Sequence, residues 1–234
     1  MEIIARGDKN DAFADGARAL LGALEGIEDE HIVLAVPGGR SIGAFLSQVR
    51  TLFPSLDEDV RARVHIVLLD ERCVEETSSE RNWSSIEESF TKPLIAAGIL
   101  ESEQCHPFYF DARSPESSVR EYSSMLTTLG GKIHIALASA GEDGHIASLF
   151  PNHPSVESER TGYILVTDSP KPPPLRMSAS AALLSECDSV VLLFMGEAKK
   201  DALSGFMKGA LPLECPASLA REAKGCIVIT DILS

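Results

Sequence analysis

Six short runs, at 32–36, 64–69, 133–138, 163–167, 190–195 and 226–229, are mainly apolar, continuous rather than alternating, and rich in β-branched residues. A strand with one face in water alternates apolar and polar residues. A continuous apolar strand needs both faces covered, as in a parallel sheet flanked by helices. Between these runs lie segments of helical period at 12–24, 42–53, 83–97, 117–129 and 198–207. Strands alternating with helices predict a doubly wound α/β fold, a mostly parallel sheet with helices on both faces. Loops are marked by Pro37-Gly38-Gly39, by Pro151-Asn152-His153-Pro154 and by the proline-rich stretch at 169–174, whose prolines stiffen one loop. With no disordered linker and no internal repeat, residues 1–234 are expected to form a single domain, a length one α/β core can fill.

Charge narrows the partners. The 35 acidic and 21 basic side chains leave a net charge of −14, which repels nucleic acid and anionic lipid headgroups. Neither is expected as a partner. A phosphorylated small molecule meets the same repulsion unless cationic side chains are gathered at its site. The five cysteines form no CxxC pair, so reduced, buried thiols are expected. No basic start leads into an apolar stretch, and no run approaches the ~18 apolar residues that span a bilayer. The expected location is cytoplasmic. The sequence carries no signal of oligomeric state.

Three segments at strand ends carry chemistry. Val36-Pro37-Gly38-Gly39-Arg40-Ser41 leads from a strand into a helix. Its glycines admit an anion close to the backbone, the helix start supplies free N–H groups, and Arg40 and Ser41 add side-chain donors. The segment reads equally as a plain strand-to-helix turn, and it is neither a Walker loop nor a GxGxxG fingerprint. Leu68-Leu69-Asp70-Glu71-Arg72-Cys73 puts polar residues beyond a strand, where open α/β sheets bind ligands, although the same triplet suits a solvated loop or a surface ion pair. In Ala138-Ser139-Ala140-Gly141-Glu142-Asp143-Gly144-His145, an Asp two residues before the imidazole could hold one tautomer and make it a better base. Unperturbed imidazole titrates at about 6.5, which suits proton removal from water near neutrality.

The other five histidines, His31, His65, His106, His134 and His153, read as structural or surface residues. Arg176 and Lys199 stand near loop or strand ends, and Lys199 at a helix start is easier to understand if an anion shares that end. Each is otherwise an ordinary exposed cation. Asp143 and His145 lack a third ligand at recognisable spacing, so no metal and no other cofactor is expected. Ser148 lacks the Gly-x-Ser-x-Gly surroundings of a covalent nucleophile.

Taken in order, these segments resemble the 6-phosphogluconolactonases, within the larger group that includes the glucosamine-6-phosphate deaminases. Pro37-Gly38-Gly39-Arg40-Ser41 stands at the group's phosphate loop, although Pro37 and Arg40 replace the two serines of the Ser-Gly-Gly-Ser-Thr form. Asp70-Glu71-Arg72 resembles the lactonase Asp-Glu-Arg, and Gly144-His145-Ile146-Ala147-Ser148-Leu149-Phe150-Pro151 its Gly-His-x-Ala-Ser-Leu-Phe-Pro. Lys171-Pro172-Pro173-Pro174-Leu175-Arg176, Gly196 to Lys199 and Cys215-Pro216-Ala217-Ser218 are similar to further lactonase stretches. The deaminases continue from Gly-His-Ile-Ala into Phe-Asn-Glu-Pro and carry Asp-Glu-Tyr; this chain departs from both.

The resemblance implies a modified Rossmann-like fold and hydrolysis of 6-phospho-D-glucono-1,5-lactone to 6-phosphogluconate in the pentose phosphate pathway. On that reading Gly38, Gly39, Arg40, Ser41, Arg176 and Lys199 hold the phosphate, and His145 activates water. Asp143 orients His145, Arg72 stabilises the oxyanion, and Asp70 positions Arg72 or a substrate hydroxyl. An amino-sugar-phosphate deaminase or isomerase and a non-catalytic sugar-phosphate sensor are the alternatives.

Overall fold

A computed structural model describes residues 1–233, with the backbone alone at positions 40 and 41. In chain order the elements are β1 (Glu2–Ala5), α1 (Lys9–Glu25), β2 (Ile32–Val36), α2 (Arg40–Leu52), α3 (Glu58–Arg63), β3 (Val64–Leu68), β4 (Asp70–Arg72), α4 (Asn82–Ile86), α5 (Lys92–Ala96) and α6 (Pro115–Thr128). There follow β5 (Ile135–Ser139), β6 (Tyr163–Val166), β7 (Arg176–Ala179), α7 (Ala181–Ser185), β8 (Ser189–Phe194), α8 (Lys200–Met207) and β9 (Cys226–Thr230). Six strands form a parallel sheet in the order β1-β9-β8-β5-β2-β3. Every residue of β2 is buried, as expected for a strand covered on both faces.

Helix α1 shows how these elements form. Asp8 caps its start by accepting the backbone N–H groups of Asn10 and Asp11, and Ala12, Phe13, Ala17, Leu20, Leu21 and Leu24 make one buried stripe. The helical segment expected at 83–97 is interrupted. Pro93 has no N–H for the Ser89 carbonyl, the turn at Glu87–Thr91 widens to π geometry, and the freed carbonyl accepts Arg50 Nη1 at 3.0 Å.

Chain direction across the sheet reverses between β2 and β5. From β1 through β2 to β3 the connections run one way, and from β5 through β8 to β9 they run back. Right-handed crossovers then place the two sets of connections on opposite faces and leave a crevice at the carboxyl ends of β2 and β5.

A second, antiparallel sheet, β4-β7-β6, stands beside that crevice. The run at 163–167, expected among the parallel strands, belongs here. Strand β4 continues β3 after one residue: Leu69 donates to Val36 O, and its own carbonyl accepts from Ala179. Two tyrosine hydroxyls satisfy the Leu68 backbone at this departure. Tyr122 Oη accepts the Leu68 N–H at 2.8 Å, and Tyr163 Oη donates to the Leu68 carbonyl at 2.6 Å. No helix among the described residues is long and apolar enough to cross a membrane.

Candidate active site

The crevice is lined by four strand-end loops and the first strand of the small sheet. After β2, Gly38 and Gly39 turn the chain into α2. A Cβ on Gly38 would overlap the Asn82 amide, and Gly39 has a φ of +108° that favours glycine. No side-chain hydrogen bond caps α2 at Gly39 among the described residues. The side chains of Arg40 and Ser41 lie outside the described residues.

In β4, three consecutive residues do three different things. Asp70 is 6% exposed; its Oδ2 accepts Ser148 Oγ at 2.6 Å, and Asn82 Nδ2 donates to its carbonyl at 3.0 Å. It forms no ion pair with Arg72 among the described residues. It faces Arg176 Nη1 at 4.0 Å. Buried Glu71 accepts the backbone N–H groups of Arg72, Asn82 and Trp83 at 2.7–2.8 Å, capping α4. Burial pushes its carboxyl up to about 7 in spite of those three donors. Arg72 donates from Nη1 to Glu80 O at 2.6 Å, while its Nε is buried with no partner among the described residues.

The β5 loop presents the imidazole. Gly141 donates to the carbonyl of His145, and a Cβ on Gly141 would overlap the His145 ring, so the loop closes only with glycine there. His145 Nδ1 meets Asp143 Oδ1, and Nε2 has no partner among the described residues. Lys171 Nζ lies 2.9 Å from Asp143 Oδ2 and 3.1 Å from His145 Nδ1. Burial opposes the charge on Asp143, but hydrogen bonds from His145 and Lys171 prevail and hold its carboxyl well below the usual range. A charged Asp143 requires the proton on Nδ1, which makes Nε2 the free, basic nitrogen. Beyond the imidazole, the Ile146–Leu149 turn has Ala147 at a φ of +50° and delivers Ser148 to Asp70. Ser148 is fully buried, consistent with the expectation that it is no nucleophile.

Arg176 is held mainly by backbone carbonyls. Its side chain is 7% exposed; Nε donates to Pro173 O, and Nη2 to the carbonyls of Lys171 and Pro172, at 3.0–3.1 Å. Its register partner across β4 and β7 is Arg72. Burial, then the neighbouring Arg72 charge, lowers its pKa, while Asp70 counters them. The Phe150 ring lies between this guanidinium, 5.9 Å from the ring centre, and the imidazole, whose centre is 4.9 Å away.

Lys199 follows β8. Asp231 Oδ1 accepts the Gly196 N–H at 2.7 Å and so anchors the turn that carries this lysine. Burial first, then the charge of Lys171, lowers its pKa, against Glu142 and Asp143. The cluster of Asp143, His145, Lys171 and Lys199 is closed from below by the segment at Pro216–Arg221, where Ala217 donates to Gly144 O at 2.8 Å.

Sequence reasoning missed Glu71, Asn82, Lys171 and Asp231 as parts of this site. Lys171 stood within a motif stretch, and its position before the prolines was the signal available. Asn82 and Asp231 stand in no motif, and only folding brings them in.

A second group, Asp29, His134 and Asp188, gathers at the opposite, amino end of the parallel strands and has the composition of a metal site. His134 Nδ1, however, accepts the Val33 N–H at 3.0 Å, so its proton sits on Nε2, which is a donor toward Asp29 rather than a ligand. Lys132 Nζ and Lys224 Nζ, each 2.8 Å from a carboxylate oxygen of Asp188, set two positive charges against the two carboxylates.

A family model described as glucosamine-6-phosphate isomerases/6-phosphogluconolactonase matches residues 7–229. The chain belongs to this family. Within it, the 6-phosphogluconolactonase of Borreliella burgdorferi is 32% identical over 88% of this chain and 86% of its own, and that of Caulobacter vibrioides 28% identical over 91% and 90%. The crystal structure of 6-phosphogluconolactonase from Thermotoga maritima superposes with a TM-score of 0.80 at 21% identity, covering 98% of both chains. A monomeric glucosamine-6-phosphate deaminase, described as a missing link of the NagB superfamily, superposes as well, with a TM-score of 0.79 at 18% identity over 98% of this chain and 97% of its own. Both family branches share the backbone, so the backbone does not choose between them.

Proposed function

We propose that this chain is a cytoplasmic 6-phosphogluconolactonase, hydrolysing 6-phospho-D-glucono-1,5-lactone to 6-phosphogluconate within the pentose phosphate pathway. The observation that carries the reading is His145 with Nδ1 engaged by charged Asp143 and Nε2 free at the carboxyl edge of β5. The lactonase-like Ser148-Leu149-Phe150-Pro151 follows it, where a deaminase has a carboxylate.

In this reading the phosphate rests on the backbone of Gly38 and Gly39 at the start of α2, with Arg40, Ser41 and Lys199 as side-chain donors. Arg176 adds positive charge from beneath, while most of its hydrogen bonds hold the proline loop. Nε2 of His145 takes a proton from water, the hydroxide adds to the lactone carbonyl, and the Arg72 guanidinium stabilises the tetrahedral oxyanion. Collapse of that intermediate breaks the bond from the carbonyl carbon to the ring oxygen, which takes the proton back from His145 as it leaves as a hydroxyl. Asp143 fixes the tautomer. Asp70 ties the His145 turn to Arg176 through Ser148.

The test is a pair of assays on one preparation: acid release from the phosphorylated lactone, corrected for spontaneous hydrolysis, and ammonia release from glucosamine 6-phosphate. Acid release well above background with no ammonia is expected. Ammonia release, or ligand binding without turnover of either compound, would overturn the reading.

A further inference from the structure

Lys171 reaches the Asp143–His145 pair from a different part of the chain, and its place there is built by buried groups. Ser169 Oγ donates to the Lys171 carbonyl at 2.9 Å, and the Lys171 N–H lies 3.2 Å from the same hydroxyl. Arg176 Nη2 donates to the carbonyls of Lys171 and Pro172. An arginine nearly withdrawn from solvent therefore holds the backbone that aims this lysine.

The contact itself has a definite sense. With Asp143 charged, Nδ1 of His145 is a donor and cannot accept from an ammonium, so the 3.1 Å approach of Nζ is not a hydrogen bond. It is a positive charge beside the imidazole. Nζ donates to Asp143 Oδ2 at 2.9 Å, leaving Oδ1 for the ring and for the His145 backbone N–H. Asp143 alone would favour the imidazolium, which cannot act as a base, whereas Asp143 and Lys171 together carry no net charge. Further charges near the triad among the described residues are Lys199, from the loop after β8, which feels the charges of Asp143, Lys171 and Glu142, and Arg176, which lies against the same Phe150 ring as the imidazole.

Building on the lactonase reading, we propose that Lys171 is a positioning residue for the hydrolysis: its ammonium completes a Lys171–Asp143–His145 triad that fixes the ring and cancels the carboxylate charge, so Nε2 stays unprotonated and able to accept a proton from water.

Three proteins test this: the parent, Lys171→Met and Lys171→Arg. In Lys171→Met the acid limb of the kcat–pH profile should move up by about one pH unit, with kcat near pH 6 falling about tenfold and KM for the phosphorylated lactone changing less than about twofold. Lys171→Arg should restore most of the parental profile. The His145 titration, followed by NMR of 15N-labelled histidine in the substrate-free protein, should move in the same direction. An unmoved titration overturns the proposal, and a raised KM with an unmoved acid limb makes Lys171 a phosphate ligand instead. Should Lys171→Met fail to fold, Lys171→Gln carries the same test. The NMR arm needs no turnover, so a parent that fails to hydrolyse the lactone refutes the lactonase reading while Lys171 is still judged on the titration.

Discussion

At the scale of single residues, the site separates groups that meet solvent from groups that hold them. Asp143, Lys171 and the His145 ring reach solvent, whereas Asp70, Glu71, Ser148 and Arg176 are buried and satisfy one another or the backbone. Substitutions should divide the same way. His145→Asn keeps a polar group but removes the base; kcat should fall about 10² to 10⁴-fold while binding of 6-phosphogluconate, measured by calorimetry, stays near parental. Near-parental kcat in a folded variant that binds product would show that His145 is not the base. In the parent, kcat should fall as pH drops through the pKa of His145 in the bound complex, because only neutral imidazole accepts a proton.

At the scale of elements, the ends of the strands carry unequal duties. The carboxyl ends of β2, β5 and β8 carry the loops of the candidate site, while the amino ends are tied by polar contacts among histidines and charged groups. There, His31 Nδ1 meets His65 Nε2 at 3.0 Å, and His65 Nδ1 meets His106 Nε2 at 3.0 Å, linking the entry to β2, the strand β3 and the segment after Gln104. Three neutral imidazoles can make both contacts with the protons pointing one way along the row. Burial, then the charges His106 and His31 would bear, lowers the pKa of His65 to about 4. Its folded value lies below the unfolded 6.5, so between those values the unfolded chain binds the extra proton. The stability contributed by neutral His65 is present above 6.5 and is lost as pH falls toward 4. Urea unfolding of the parent and His65→Gln at pH 7, 5.5 and 4.5 should therefore show the variant gaining on the parent as the solution is acidified. A gap that does not vary with pH would remove His65 from the acid response.

At the scale of the whole molecule, a net charge of −14 surrounds a crevice lined by Arg72, Arg176, Lys171 and Lys199. On the proposed reading a phosphorylated ligand is repelled at long range and captured at contact. The phosphorylated lactone should thus have a kcat/KM far above that of unphosphorylated gluconolactone, with the ratio narrowing as salt screens the contact charges. Equal values for the two lactones at low salt would sink the phosphate pocket.

The same scale separates what was legible in the chain from what was not. Five of the six parallel strands and the place of the His145 loop follow from local pattern: apolar runs define strands buried on both faces, and open α/β sheets put loops of function at carboxyl ends, whereas the edge strand β1 is mostly exposed and carries no such run. The small sheet was not legible, because β4 is three polar-led residues and β7 begins with a buried arginine. Neither carries the apolar run by which a strand is recognised. The sequence by itself determined the parallel α/β frame, the glycine turn after β2 and the Asp143–His145 pair, each set by residues close in the chain. Only the tertiary structure decided that Ser148 would occupy Asp70, that Arg176 would hold the proline loop and that Lys171 would stand beside His145. Those contacts join residues 78, 5 and 26 positions apart, through pairing of two sheets and burial of polar groups that must find partners wherever the fold brings them.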